Sequence, residues 1–401
     1  MFLDVLRRCN LPFLEAAVAL HQAGDIPANS YVLDLDTVAD NAAAFCDEAH
    51  RRGLTVLAMT KQVGRAPGAL DAMARGGADG FVAVDMACAR AIVANGHRLG
   101  HLGHLVQVPR AETGEAALLE PEFWTVFSAG KAAEAASAAV AAGRTQDLLV
   151  RVCAPGDEFY PGHEGGVPLD ELGAFIDLLD AMAGVRFAGL TTFPALLFDP
   201  DTGGARTTRN VETLARAAEL ARRRLGLDAA VAINAPGTTS IAVLDRLADA
   251  GATQVEPGHG LTGTTPLHAA ADLPERPAIC YLSEVSHLHG GVPLCFGGGF
   301  YVDPVFAPYS PKALIAADPT DLGEAPVGMD FPDPAGIDYY ARLHPRPGRQ
   351  VREGDTVICG FRAQAFVTRA AVVGLSGVAA GTPAVAGCWD TLGRPLQRRI
   401  S

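Results

Sequence analysis

The sequence predicts an α/β protein, with an N-terminal (β/α)8 barrel of the TIM type followed by a mainly antiparallel β domain. Two observations predict it. From about Tyr31 to Gly258, short β-branched or apolar runs alternate with alanine-rich helical stretches, the rhythm of βαβ units around a parallel sheet. After Pro266 that rhythm stops, and glycine, proline and β-rich runs take over.

The runs before Pro266 are Tyr31–Leu35, Thr55–Lys61, Gly80–Asp85, Leu102–Val108, Trp124–Ser128, Leu148–Cys153, Phe187–Phe193, Ala230–Asn234 and Thr253–Glu256. That is one more than an eight-stranded barrel needs. Tyr31–Leu35 is therefore assigned to another sheet, leaving eight strands whose carboxyl ends share one face. Between the runs lie helical segments such as Thr37–Arg52, Lys131–Ala142, Leu169–Ala183, Val211–Leu225 and Ile241–Ala250. The resulting division is a helical segment over 1–30, a strand and helix over 31–54 with the strand joining the β domain, the barrel over 55–265 and the β domain over 266–401. Ala278–Leu288, Thr356–Cys359 and Ala365–Val373 are the predicted strands of the β domain. The Pro-, Asp- and Gly-rich stretch Ala316–His344 reads as a long excursion, whether lid, subunit contact or mobile loop.

Composition narrows the function. The 401 residues carry 45 acidic against 32 basic side chains, a net charge of -13, which argues against binding nucleic acid or an anionic membrane. An apolar share of 49% argues against disorder. Eight scattered cysteines form no CxxC pair or metal-spaced cluster, so they are expected to be reduced thiols of a cytoplasmic protein, with no metal site. Asp4, Arg7 and Arg8 interrupt the apolar start, which is read as neither signal peptide nor membrane span. Only Lys61, Lys131 and Lys312 among the basic residues are lysine. Arginine does not deprotonate to an amine nucleophile, so a lysine kept in so arginine-biased a chain raises a chemical question.

Three motifs carry chemistry. Lys61 ends the first barrel run, Val56-Leu57-Ala58-Met59-Thr60-Lys61, which aims its amine at the face where barrel enzymes place their sites. There it is a candidate for imine formation with an aldehyde cofactor; the plainer reading is a solvated surface lysine. Asn234-Ala235-Pro236-Gly237-Thr238-Thr239-Ser240 follows the seventh strand and opens a helix, so Gly237 with the hydroxyls of Thr238 and Thr239 forms either a phosphate cradle or an ordinary N-cap. Val255-Glu256-Pro257-Gly258-His259 ends the eighth strand. A carboxylate at that depth calls for a cation, such as a protonated pyridine nitrogen.

In this order the motifs resemble the fold-type III pyridoxal-phosphate enzymes, the alanine racemases and the diaminopimelate and ornithine decarboxylases. The resemblance implies pyridoxal 5'-phosphate as cofactor and Lys61 as the Schiff-base lysine. It implies Gly237, Thr238, Thr239 and Gly258 at the phosphate, and Glu256 at the pyridine nitrogen, with His259 standing where the decarboxylases have arginine. Arg151, in Leu149-Val150-Arg151-Val152, is similar to an arginine lying beneath the cofactor, or is a structural salt-bridge residue. Phe193 stands where the racemases place a histidine stacked on the ring, and His163 falls in a glycine-rich segment that lines the site in relatives. Ala58-Met59-Thr60-Lys61-Gln62, Glu284-Val285-Ser286-His287, Gly297-Gly298-Gly299-Phe300-Tyr301 and Gly360-Phe361-Arg362-Ala363-Gln364 are similar to the YhfX-like group of predicted racemases.

What the resemblance implies for activity is an amino-acid racemase, with an amino-acid decarboxylase and then a non-catalytic cofactor carrier as alternatives. Racemisation needs an acid/base group on each face of the substrate. Lys61 serves one face. Cys295 or Tyr301, from the β domain of a partner in a homodimer with shared sites, is expected to serve the other, unless Cys295 is a buried apolar thiol and Tyr301 a packing residue. His287 and His289 could pair on a metal, but a strand-surface role is the preferred reading.

Overall fold

The computed structural model describes residues 2–226, 228–302 and 312–397, and these divide into two compact units. The chain begins with two helices, Phe2–Cys9 and Leu11–Gln22, and strand β1 (Ser30–Asp34). Next comes the helix Leu35–Arg51, whose start is fixed by Asp34: its carboxylate accepts the Thr37 amide at 3.2 Å and the Thr37 hydroxyl at 2.6 Å.

One unit, 45–60 with 77–258, is the barrel. Its strands are β2 (Thr55–Met59), β3 (Gly80–Ala83), β4 (Leu99–Leu102), β5 (Phe123–Val126) and β6 (Gln146–Cys153). A two-residue strand β7 (Val167–Pro168) pairs with β6, β8 is Val185–Thr191, and β9 (Leu196–Asp199) with β10 (Gly204–Thr207) makes a hairpin. β11 (Ala232–Asn234) and β12 (Gln254–Val255) complete the unit. Parallel pairing runs β2-β3-β4-β5-β6-β8-β11-β12 and back to β2, closing the expected eight-stranded barrel. β3 and β4 are buried at every residue because parallel strands are covered on both faces, which is why β3 reads as an unbroken apolar run. The helices between them have explicit caps: Asp85 accepts the Cys88 amide to start Met86–Ala94, and Ser128 accepts that of Lys131 to start Ala129–Ala141.

The fourth strand differs from expectation. It is Leu99–Leu102, not 102–108, because Gly103 turns into the left-handed region at φ +80° and ends the strand. Residues 104–108 form a loop held by Gln107, which donates to the Thr125 carbonyl and accepts from the Phe127 amide.

The other unit comprises 1–44, 61–76 and 259–401, so the residues after β2 and after Gly258 group here rather than in a barrel domain running to 265. Its strands are β13 (Ile279–His289), β14 (Val292–Phe296), β15 (Lys312–Ala316), β16 (Val327–Asp330), β17 (Tyr340–His344), β18 (Thr356–Cys359), β19 (Ala371–Ser376) and β20 (Ala384–Trp389). Antiparallel pairing closes β13-β14-β17-β16-β15-β18 into a ring, and β1-β19-β20 extends it from β13. β1 pairs antiparallel with β13 and parallel with β19. The stretch read as an excursion at 316–344 thus contains two strands of this ring, and Ala365–Val367 is a 3₁₀ turn ahead of β19 rather than part of a strand. The N-terminal helices supply Leu3, Leu6, Phe13, Leu14 and Val18 to a core with Val32, Leu282, Leu314, Ile358 and Val373. Among the described residues no helix is long and apolar enough to cross a membrane.

The closeness of β8 and β11 is testable. A Cβ on Gly189 would overlap the Ala232 carbonyl, whereas one on Gly114 would meet nothing within 4 Å. Gly189→Ala should cost about 1–3 kcal/mol in urea unfolding, while Gly114→Ala should be neutral or slightly stabilising. Equal midpoints for both variants would refute this packing.

Candidate active site

The barrel interior holds a fully buried carboxylate. Glu256, one residue beyond β12, receives a hydrogen bond at Oε1 from His101 Nδ1 at 2.5 Å and another from Asn234 Nδ2 at 2.8 Å. Its Oε2 lies 3.1 Å from His104 Nδ1. His101 comes from β4, His104 from the loop after it, and Asn234 from the end of β11. Burial by itself would raise the Glu256 pKa. The positive charges of His104 and His101, with the hydrogen bonds from His101 and Asn234, outweigh it and bring the carboxylate down to about 2. The groups behind are also fixed: Thr125 Oγ1 sits 2.5 Å from His101 Nε2, and Thr191 donates to Asn234 Oδ1 at 2.8 Å.

Arg151, on β6, is fully buried. Its Nη2 donates to the carbonyls of His163 at 2.6 Å and Phe193 at 3.2 Å, and its guanidinium lies over the rings of Phe127 and Phe159. Burial pushes its pKa down to about 10, and no partner among the described residues bonds Nε or Nη1. The structure gives it no salt-bridge partner among the described residues, leaving two donor nitrogens, Nε and Nη1, for a ligand. Phe193 follows β8 through a cis peptide to Pro194, and its ring packs against His104, Tyr160 and His163 at 5.5–5.9 Å.

The 235–240 loop is less open than the sequence suggested. The Thr238 amide is spent on the Leu196 carbonyl at 3.1 Å, the Thr239 hydroxyl bonds the Gly237 carbonyl, and Ser240 accepts the Ala242 amide. What the loop opens is a three-residue 3₁₀ turn, Ile241–Val243, before a short helix. Gly237 is required by packing, since a Cβ there would meet Leu196 N and O at 2.6 and 2.7 Å. The phosphate cradle expected from three hydroxyls at a helix start is therefore largely a self-bonded turn.

In the β-rich unit, Lys61 is half-buried and begins the 3₁₀ turn Lys61–Val63, two residues past β2. The His259 ring is engaged by Thr264 at 3.1 Å and Gln364 at 3.4 Å; burial first, then the charges of Arg362 and Lys61, hold it neutral. Cys295, on β14, is fully buried, and burial pushes its thiol up to about 12, far from the range of a proton donor at neutral pH. Tyr301 is 48% exposed. His287 lies on β13 against Ser286 and Tyr340, as a strand-surface role requires. The triple glycine is explained by close approach: Cβ atoms on Gly297, Gly298 and Gly299 would collide with Asp338, Asn29 and Tyr281 respectively.

The sequence reading missed His101, His104, Thr125 and Asn234. The signal was present as His101-Leu102-Gly103-His104, but starting the strand at Leu102 left His101 outside it. His101, His104 and Glu256 also offer three ligand atoms within 4.8 Å of one another, so a cation is a rival occupant that the sequence did not suggest.

An eight-stranded parallel barrel in a chain that also carries an antiparallel β unit is the frame of the fold-type III pyridoxal-phosphate proteins. The chain belongs to this alanine racemase family: residues 33–266 match the alanine racemase N-terminal domain, and 280–385 match the YhfX-like C-terminal domain. It is 37% identical over 397 residues to the uncharacterized protein YhfX of Escherichia coli (strain K12), covering 99% of this chain and 100% of that one. In fold it is similar to D-threonine aldolase from Filomicrobium marinum (TM-score 0.67, 18% identity, 92% of this chain and 96% of that one). It is also similar in fold to alanine racemase from Corynebacterium glutamicum (0.61, 17%, 83% and 90%) and to D-threo-3-hydroxyaspartate dehydratase from Delftia sp. HT23 (0.63, 17%, 91% and 97%). The family cofactor is pyridoxal 5'-phosphate. The residues present fit it: an ionised carboxylate suits a protonated ring nitrogen, and Arg151 keeps two buried donor nitrogens for an anionic oxygen.

Glu256 also sets an acid dependence. Its folded pKa of about 2 lies below the free value of 4.5, so its contribution to stability is complete above about pH 4.5 and is lost as pH falls toward 2. Urea midpoints followed down to about pH 2 should therefore fall less steeply for Glu256→Gln than for the parent. Parallel curves would show that the carboxylate is not held ionised.

Proposed function

We propose that the protein is a pyridoxal-phosphate-dependent amino-acid racemase, working in the cytoplasm as a homodimer. The observation that carries this reading is the adjacency of two strand ends. β2 and β12 are neighbours, the Met59 amide donates to the Pro257 carbonyl at 2.8 Å, and the chain reaches Lys61 two residues after one strand and Glu256 one residue after the other. An amine and a carboxylate so placed in the chain suit the aldehyde carbon and the ring nitrogen of one cofactor.

Pyridoxal phosphate, when bound, supplies an electron sink beside the amino-acid Cα. Lys61 attaches the cofactor and moves the Cα proton on one face. Glu256 accepts the ring N–H and keeps that nitrogen protonated. Arg151 turns Nε and Nη1 toward the ring oxygen, and Phe193 offers an apolar face to the ring. Gly237, Thr238, Thr239, Gly258 and His259 hold the phosphate end by backbone amides, the Thr238 amide exchanging its present partner. Tyr301, exposed on its unit, is the candidate proton carrier for the second face in a partner copy. Burial and a raised pKa count against Cys295 in that role, and with it against the decarboxylase reading, which needs such a donor. The eight free thiols support a reducing compartment.

Lys61→Ala should abolish the cofactor label trapped by borohydride; a label persisting elsewhere in the chain would overturn the assignment. Incubation with amino-acid pools in deuterated water should give Cα exchange with inversion, whereas release of carbon dioxide or cleavage of a side chain would replace racemisation by that reaction. Tyr301→Phe should slow exchange from one antipode by about tenfold or more and leave cofactor binding intact. Unchanged rates from both antipodes would exclude Tyr301.

A further inference from the structure

We propose that His101 is a positioning residue, anchored by Thr125, that fixes the Glu256 carboxylate as an ionised acceptor with one open site for the cofactor's ring nitrogen. This rests on the reading of Glu256 as the partner of that nitrogen. A carboxylate only accepts hydrogen bonds, so His101 Nδ1 carries the proton of the 2.5 Å contact to Oε1. Nε2 pairs with the Thr125 hydroxyl at 2.5 Å, which donates to a neutral ring and accepts from a charged one. In either form Thr125 fixes the orientation of His101, and His101 that of Glu256.

Asn234 is oriented in the same way from the opposite side. Thr191 occupies its carbonyl oxygen, which turns its amide nitrogen onto Oε1. A carboxylate has about four lone-pair sites. His101 and Asn234 fill both on Oε1, and His104 faces one on Oε2, leaving a single acceptor site on Oε2. Every side chain in this relay is buried.

The test uses the holoenzyme reconstituted with nitrogen-labelled pyridoxal phosphate, reading the ring-nitrogen chemical shift, the visible spectrum, and KM against kcat for Cα exchange. His101→Ala should keep the borohydride-trapped label, move the ring-nitrogen signal toward that of an unprotonated pyridine and lower kcat by about tenfold or more with KM little changed. His101→Asn, whose amide nitrogen overlies Nδ1, should restore most of both effects, and Thr125→Val, a milder packing change, should reproduce part of the shift. Glu256→Gln separates the two layers. If it moves the nitrogen signal while His101→Ala and Thr125→Val do not, the positioning role fails and the Glu256 reading stands. If Glu256→Gln leaves the signal unmoved, the Glu256 reading itself fails. Stoichiometric zinc bound at His101, His104 and Glu256 in competition with the cofactor would overturn the proposal in favour of a metal centre.

Discussion

The barrel is organised around one expensive object, a carboxylate with no exposure to solvent. Placing Glu256 in an apolar interior would cost several kcal/mol if it were unpaired, so the strands around it give up apolar positions to serve it. β4 contributes His101, β5 Thr125, β8 Thr191 and β11 Asn234, each a polar residue in a mainly apolar strand. Barrel cores are normally layers of branched aliphatic side chains. Here the hydrogen bonds from His101 and Asn234, backed by Thr125 and Thr191, hold the charge in place.

The β-rich unit solves a different problem. It must hold cationic groups, Lys61 and Arg362, beside a histidine without that histidine becoming a third cation. Burial of His259 and its contacts with Thr264 and Gln364 achieve this, since the Gln364 amide nitrogen faces Nε2 and leaves it the acceptor. The glycine run 297–299 lets the chain pass against Asn29, Tyr281 and Asp338, and Tyr31 closes the arrangement by donating to the Gly299 carbonyl at 2.5 Å. Substituting any of these glycines strains contacts among β1, β13 and the turn after β14, not just a local loop.

Much of this was legible in the sequence, and the failures have physical causes. Strand rhythm located the barrel because parallel strands are buried on both faces, and Thr356–Cys359 matched β18 residue for residue. Glu256 was visible since a carboxylate ending an apolar run has no cheap structural use. Its histidines were not, because Gly103 ends β4 by backbone conformation alone, shifting the strand by a few residues against the apolar pattern. Two strands hid in the 316–344 stretch, although Val327 and Met329 alternate inward with Gly328 and Asp330 outward, because proline and aspartate density masked a period-two signal only four residues long. The self-bonded turn at 235–240 was illegible for a further reason: the β9 hairpin that takes up its amide lies some forty residues away in sequence, and no local pattern reports it.

The fold does not choose the reaction. A racemase, an aldolase and a dehydratase share this fold at TM-scores of 0.61–0.67, so the fold by itself is compatible with more than one reaction. Which bond at Cα breaks depends on the groups around it. Of the two donors expected from the β-rich unit, Cys295 is sealed in β14 and Tyr301 is open. The lysines sort the same way. Lys131 is tied to the Val108 carbonyl and Glu134, and Lys312 is an exposed residue opening β15, so both are used for charge and contact alone. Lys61 differs from both in place: it follows β2, the strand paired with β12, one residue beyond which Glu256 lies, and there the proposed imine would need an amine that arginine does not supply.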